Sequence, residues 1–222
     1  MLTLRYDDGT IRIDGLDESD AAAGSLPGVA WDDRGLVARA PAHRYAELRD
    51  ALHDRGVDVD DRVAVPDAAR LSLTHAYDLR PYQTDAVTAW REAGDRGVVE
   101  LPTGAGKTVV AIDAVAALGV PTLVVVPTID LLEQWRRELE TEFDVAVGQF
   151  GGGEQTQAPI TVSTYDSAYL RAADVGGDFG LVVFDEVHHL GGEGYRDAAR
   201  LVAAPARLGL TATFERPDGA HE

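Results

Sequence analysis

From residue 98 onward the chain alternates between short, nearly continuous apolar runs and longer stretches with apolar residues every three or four positions. Residues 98–101, 122–126, 160–162, 181–184 and 208–210 have the length and β-branched content of strands buried on both faces. Between them, residues 109–118, 129–143 and 165–173 carry helical spacing. The alternation predicts a parallel sheet covered by helices on both sides. The longest apolar passage, residues 109–127, has the length of a membrane span, but Asp113, Gly119 and Pro121 divide it into a core helix and a core strand.

The first part of the chain has a different rhythm. Leu2-Thr-Leu-Arg-Tyr6 and Thr10-Ile-Arg-Ile-Asp14 alternate in period two around Asp7-Asp-Gly9, which predicts a hairpin. A second hairpin is predicted from Val29-Ala-Trp31 and Leu36-Val-Ala38 around Asp32-Asp-Arg-Gly35. Tyr45, Leu48, Ala51 and Leu52 then fall at helical spacing, and Gly56 closes that helix. The expectation is a small α+β domain over residues 1–66 and a larger α/β domain over 67–222. Tyr6, Trp31 and Tyr45 are read as core aromatics of the small domain rather than as a stacking platform for bases.

Composition narrows the class. Its 222 residues with 45% hydrophobic content suffice for a sizeable core. There is no cysteine, so disulfides and thiolate metal sites are excluded, which agrees with a reducing cytoplasm. The first eight residues hold no continuous apolar stretch, and neither a signal peptide nor a membrane partner is expected.

The net charge of −18 is spread along the chain: residues 1–66 carry 8 arginines against 14 acids, and residues 67–222 carry 12 bases against 24. Abundant Asp with a single lysine suggests adaptation to high salt, where screening weakens self-repulsion.

That one lysine, Lys107, stands in Leu101-Pro-Thr-Gly-Ala-Gly-Lys-Thr108, directly after a predicted strand and before a predicted helix. Such a loop turns backbone N–H groups of Thr103, Gly104, Ala105 and Gly106 toward nucleotide phosphates, while a compact ammonium reaches between them and Thr108 offers a hydroxyl to Mg²⁺. Asp185-Glu-Val-His-His189 follows another apolar strand. Asp185 there suits a Mg²⁺ site and Glu186 can take a proton from attacking water. Two other readings are an acid pair at a helix N-terminus and a zinc site of Asp185, His188 and His189. Against zinc, adjacent histidines should point apart and no third ligand has suitable spacing. His189 is expected to face solvent. Arg136 and Arg137 are read as partners of Glu133 and Glu140 on one helix.

Taken together, the phosphate loop, the Asp185-Glu-Val-His188 box and Thr211-Ala-Thr213 resemble motifs I, II and III of superfamily 2 helicases and translocases. Leu79-Arg-Pro-Tyr-Gln83 is similar to the family's Q-motif, which implies adenine recognition by Gln83 with Arg80 beside it. Val126-Pro-Thr128 with Leu131-Leu-Glu-Gln-Trp135, and Val162-Ser-Thr-Tyr165, resemble the DNA-contacting motifs.

The wording around residues 161–169, 184–190 and 208–216 most resembles the xeroderma pigmentosum group B (XPB) branch, especially its archaeal members. That resemblance implies a RecA-like first helicase domain behind a small damage-recognition domain. It also implies DNA contacts by Thr128, Ser163 and Thr164, and nucleotide-to-DNA coupling by Thr211 and Thr213 with His188 linking them. The family's Arg-Glu-Asp triplet is matched by Arg216 and Asp218, but Pro217 replaces the Glu.

A DNA-dependent ATPase using ATP and Mg²⁺ is therefore expected in the cytoplasm. Its partners would be DNA, a second RecA-like domain that this chain lacks, and a repair nuclease or transcription-related protein. Without the arginine fingers of that second domain, worth about 10³ to 10⁵ in rate, hydrolysis should be weak. Two other readings are a different superfamily 2 motor, such as a restriction-system subunit, and a catalytically idle module that binds DNA or a partner.

Overall fold

A computed structural model gives the protein's architecture and describes residues 1–16, 25–63, 70–191 and 193–212. Strands β1 (Leu2–Asp7) and β2 (Thr10–Asp14) form the expected antiparallel hairpin. Asp8 and Gly9 turn it with φ of 48° and 74°, the positive values that match the twist of a tight hairpin. The second hairpin joins β3 (Ala30–Asp32) to β4 (Val37–Pro41), and β4 pairs with β2.

Helix α1 (Tyr45–Asp54) buries Tyr45, Ala46, Leu48 and Leu52. Leu48 and Leu52 join Leu4, Ile11, Ile13, Ala38 and Ala40 in one apolar cluster. A further strand, β5 (Val59–Asp61), runs parallel to β1 and completes a five-stranded sheet ordered β3-β4-β2-β1-β5. Tyr45 is buried as expected and its hydroxyl donates to Asp61 Oδ2 at 2.6 Å, tying α1 to β5. Trp31 and Tyr6 are partly buried against the same cluster. The division expected near residue 66 lies outside the described residues.

Residues 70–80 form an extended strap. Leu71, Leu73, Tyr77 and Leu79, at alternate positions, pack on the core of the larger domain, and Leu71 N donates to Gly119 O at 2.8 Å. This stretch alternates in period two, but its sequence pattern did not announce that it would lie on the α/β core.

The larger domain follows the predicted alternation, with residues 147–151, 154–156 and 193–201 as elements that were not predicted: α2 (Pro81–Glu92), β6 (Arg96–Glu100), α3 (Lys107–Leu118), β7 (Thr122–Val126), α4 (Ile129–Phe143), β8 (Val147–Gly151), β9 (Glu154–Thr156), β10 (Ile160–Thr164), α5 (Tyr165–Val175), β11 (Leu181–Asp185), α6 (Glu193–Leu201) and β12 (Ala206–Thr211). The sheet order is β6-β12-β11-β7-β10-β8-β9, parallel except for β9.

Every residue of β7, β10 and β11 is buried. Their side chains divide by period two between two cores. Val124, Val126, Val162 and Val183 pack with α3 and α4, whereas Leu123, Val125, Val182 and Phe184 pack with α5 and α6. Each fully buried aliphatic side chain stabilises the fold by about 1.5–3 kcal/mol.

The two sheets touch away from the phosphate loop. The Tyr6 hydroxyl lies against Ala172 O and is 2.8 Å from Leu201 O, at the ends of α5 and α6. Gly176 and Gly177 give the Tyr6 side chain room: a Cβ on Gly177 would collide with its ring, and one on Gly176 with its hydroxyl and the two carbonyls beside it. Arg96, at the start of β6, donates to His43 O at 3.4 Å. Among the described residues no helix is long and apolar enough to cross a membrane.

Candidate nucleotide and DNA site

Parallel strand order brings the motif-bearing loops to one edge. In the register β6-β12-β11, Glu100 pairs with Thr211 and Leu210 with Asp185, so the loop after β6, Thr211 and the acid pair lie side by side. Leu101 N donates to Thr211 O at 3.0 Å, fixing the root of the phosphate loop.

Within that loop Gly104 and Gly106 have φ of 80° and 82°, a region open to glycine but costly for other residues. Nothing lies within 4 Å of a Cβ built on Gly104, so the loop is open on that side. Lys107 begins α3, and its Nζ is 3.8 Å from Glu186 Oε1. Lys107 and Glu186 therefore meet although 79 positions separate them in the numbering of the sequence.

Asp185 is only 8% exposed. Burial chiefly, with the neighbouring Glu186 charge, raises its carboxyl above the usual carboxylate range against the opposing hydrogen bond from Trp135 and the Lys107 charge. Its Oδ2 accepts from Trp135 Nε1 at 2.8 Å and its Oδ1 from Glu186 N at 3.0 Å. Its carbonyl accepts from the Tyr165 hydroxyl at 2.9 Å. Glu186 has φ of 50°, a strained value for a residue with a side chain.

His188 Nδ1 lies 3.1 Å from Thr211 Oγ1 and 3.4 Å from Glu186 Oε2, joining the acid box to the end of β12. His189 is exposed, as expected. The expectation that the two histidines point apart is corrected: their ring centroids are 4.5 Å apart, because Val187–Gly191 winds as a tight 3₁₀ turn rather than running extended. Among the described residues no three His, Asp or Glu side chains gather as a metal cage.

Gln83 sits in the first turn of α2 and is 4% exposed. Its Oε1 accepts from Arg80 N at 2.8 Å, and its Nε2 donates to Ala105 O at 2.9 Å and Gly106 O at 3.3 Å. Both ends of the amide are thus turned to its own helix cap and the phosphate loop. Arg80 is exposed and its Nη1 donates to the Tyr82 hydroxyl at 3.0 Å.

On the same edge, a threonine caps the helix that follows each of β7 and β10: Thr128, two residues past the end of β7, and Thr164, the last residue of β10. Thr128 Oγ1 accepts from Leu131 N, and Thr164 Oγ1 accepts from Ser167 N, both at 3.3 Å. Thr128 is exposed; Thr164 is 8% exposed. Ser163 is fully buried, its hydroxyl donating to Thr164 O at 2.9 Å, so its side chain is not on this surface. Arg136 and Arg137 make the helical ion pairs expected of them, to Glu140 at 3.7 Å and Glu133 at 3.8 Å. Thr213, Arg216 and Asp218 lie outside the described residues.

Sequence reasoning assigned Trp135 to a DNA-contacting segment and missed its bond to Asp185. The signal available was its place on the apolar face of α4 with Leu132, Leu139 and Phe143, since a buried indole N–H needs an acceptor.

Comparison with known proteins follows the same division. The family model described as Type III restriction enzyme, res subunit, matches residues 76–216, and that described as Xeroderma pigmentosum group B helicase damage recognition domain matches residues 4–63. The chain is 45% identical over 222 residues to the DNA 3'-5' translocase XPB2 of Sulfurisphaera tokodaii, covering 100% of this chain and 48% of the relative. It is 39% identical over 155 residues to the DNA 3'-5' helicase XPB of Mycobacterium tuberculosis, covering 64% of this chain and 28% of the relative. The chain thus spans less than half the length of these curated relatives. Among solved structures, the UvsW helicase from bacteriophage T4 shares the fold at a TM-score of 0.55 and 18% identity, over 99% of this chain and 94% of that one. The chain belongs to the family described as Type III restriction enzyme, res subunit, and is similar along its whole length to an archaeal XPB translocase.

Proposed function

We propose that this chain is the ATP- and DNA-binding half of an XPB-type DNA-dependent ATPase that opens or moves along DNA in repair. The observation that carries this is the meeting, on one sheet edge, of the phosphate loop, the Asp185-Glu186 pair and the His188–Thr211 contact. Amides of Thr103, Gly104, Ala105 and Gly106 would receive the phosphates at the N-terminus of α3, with Lys107 between them.

The donor set suits Mg²⁺: one buried carboxylate, Asp185, with the Thr108 hydroxyl, leaves the remaining positions to water and phosphate oxygens. When bound, the ion would neutralise charge that develops on the transferred phosphoryl group. Glu186 would orient and deprotonate the attacking water. Gln83, in the first turn of α2, braces the loop through Ala105 and Gly106, and with Arg80 at the cap of that helix it would lie near the adenine.

DNA phosphate would meet the helix N-termini capped by Thr128 and Thr164, with Ser163 supporting Thr164 from below. Thr211 and His188, with Thr213, would pass nucleotide state to that face, and Arg216 and Asp218 would add contacts beyond it. Residues 1–66 would act as the damage-recognition unit. The partners are DNA, a second RecA-like domain, and a repair nuclease or transcription-related protein, in the cytoplasm.

Hydrolysis assayed with and without duplex DNA, after joining this chain to the remaining half of the Sulfurisphaera tokodaii relative, tests the reading. DNA stimulation is expected. Equal rates with and without DNA would favour an idle binding module.

A further inference from the structure

The apolar face of α4 carries one polar atom, the Trp135 indole nitrogen, and that atom donates to Asp185 Oδ2 at 2.8 Å. The indole is 2% exposed, so no water can replace this acceptor. An indole N–H only donates, and a carboxylate has about four acceptor positions on two oxygens. Here Glu186 N takes a position on Oδ1 and Trp135 takes one on Oδ2, which fixes the plane of the carboxylate and leaves acceptor positions on both oxygens. Tyr165 holds the same residue by its main-chain carbonyl, so the indole is the side chain that orients the carboxylate, alongside the Glu186 main-chain N–H.

Trp90 provides an internal contrast. Its indole is also buried, but it donates to a backbone carbonyl, Arg207 O, at 2.9 Å. A backbone acceptor is enough to satisfy a buried indole; Trp135 instead reaches across from a helix to an ionisable group at the sheet edge. Seven residues separate Trp135 from the Thr128 cap, about two helical turns. A rigid helix thus runs from the exposed cap to the carboxylate.

We propose that Trp135 is a positioning residue for the proposed nucleotide site, holding the Asp185 carboxylate in the orientation that receives Mg²⁺. This rests on the nucleotide reading given above. Groups that hydrogen-bond a metal-binding carboxylate commonly change metal affinity by about 10–100-fold when removed.

The test is retention of a non-hydrolysable ATP analogue by the full chain as Mg²⁺ is titrated, with folding followed by circular dichroism. Trp135→Phe keeps an aromatic ring and removes the donor. Should it fail to fold, replacing Trp135 with benzothienylalanine keeps the bicyclic shape, with sulfur in place of N–H. The Mg²⁺ concentration for half-maximal retention should rise roughly tenfold in the donor-free protein. Analogue affinity at saturating Mg²⁺ should change far less. An unchanged Mg²⁺ midpoint in a folded donor-free protein would overturn the role of Trp135 while leaving the nucleotide reading intact. Absence of Mg²⁺-dependent retention by the unmodified chain would overturn both.

Discussion

Asp185 concentrates the conflict between stability and chemistry in one side chain. Its raised carboxyl means that the folded state holds the proton more tightly than the unfolded chain, so its contribution to stability is lost as pH rises from the ordinary carboxylate value through the folded one. At neutral pH the charged group is held where burial disfavours it. Asp185→Asn removes the charge but leaves one acceptor for two donors, Trp135 Nε1 and Glu186 N, so its melting temperature relative to the unmodified chain should be lowest at acid pH and improve as pH rises toward 7. The same substitution should abolish Mg²⁺-dependent nucleotide retention. A difference between the two melting temperatures that stays constant with pH would contradict the raised carboxyl. Lys107 and Asp185 could be singled out in the sequence because each stands in a local motif after an apolar run. Trp135 could not be paired with Asp185, because the bond joins two elements that meet only after the sheet forms.

Elements were legible where burial is two-sided. β7 and β11 are continuous apolar runs whose every residue is buried, and α4 keeps helical spacing over the whole of Ile129–Phe143. Burial alone was not enough: β8 is buried throughout but reads Val-Gly-Gln-Phe-Gly, with no apolar run, and escaped notice, as did two short strands at the sheet edges. β5 reads Val-Asp-Asp and is held by pairing with β1, while β9 is exposed throughout and pairs only with β8. Gly151-Gly-Gly153 forms the turn of that edge hairpin. Its root depends on Gly148, where a Cβ would stand 2.5 Å from Thr156 O and 2.6 Å from Ala158 N. Both are backbone atoms and cannot swing aside. Gly148→Ala should destabilise the chain by about 1–3 kcal/mol, read as a lower urea midpoint. An unchanged midpoint would mean that β8 and β9 separate freely.

At the scale of the molecule, a net charge of −18 must coexist with a proposed DNA face. Many arginines are already committed, such as Arg39 to Asp7 and Asp32, and Arg136 to Glu140 and Glu154. On the proposed reading, helix N-termini and threonine caps would then meet phosphate on this edge. Acid in excess also predicts that molar KCl raises the melting temperature well above its low-salt value, because screening at that strength acts within about 3 Å. A melting temperature indifferent to KCl would remove the basis for high-salt adaptation. The two-sheet arrangement leaves the phosphate loop clear of the contacts around Tyr6, so nucleotide binding can be measured on this chain directly. The most direct measurement is calorimetric titration of ATP with Mg²⁺ into the chain and into Lys107→Ala. The unmodified chain should bind, and the substitution should weaken affinity by roughly tenfold or more, ~1.4 kcal/mol at the least. Equal affinity in the two proteins would contradict the account.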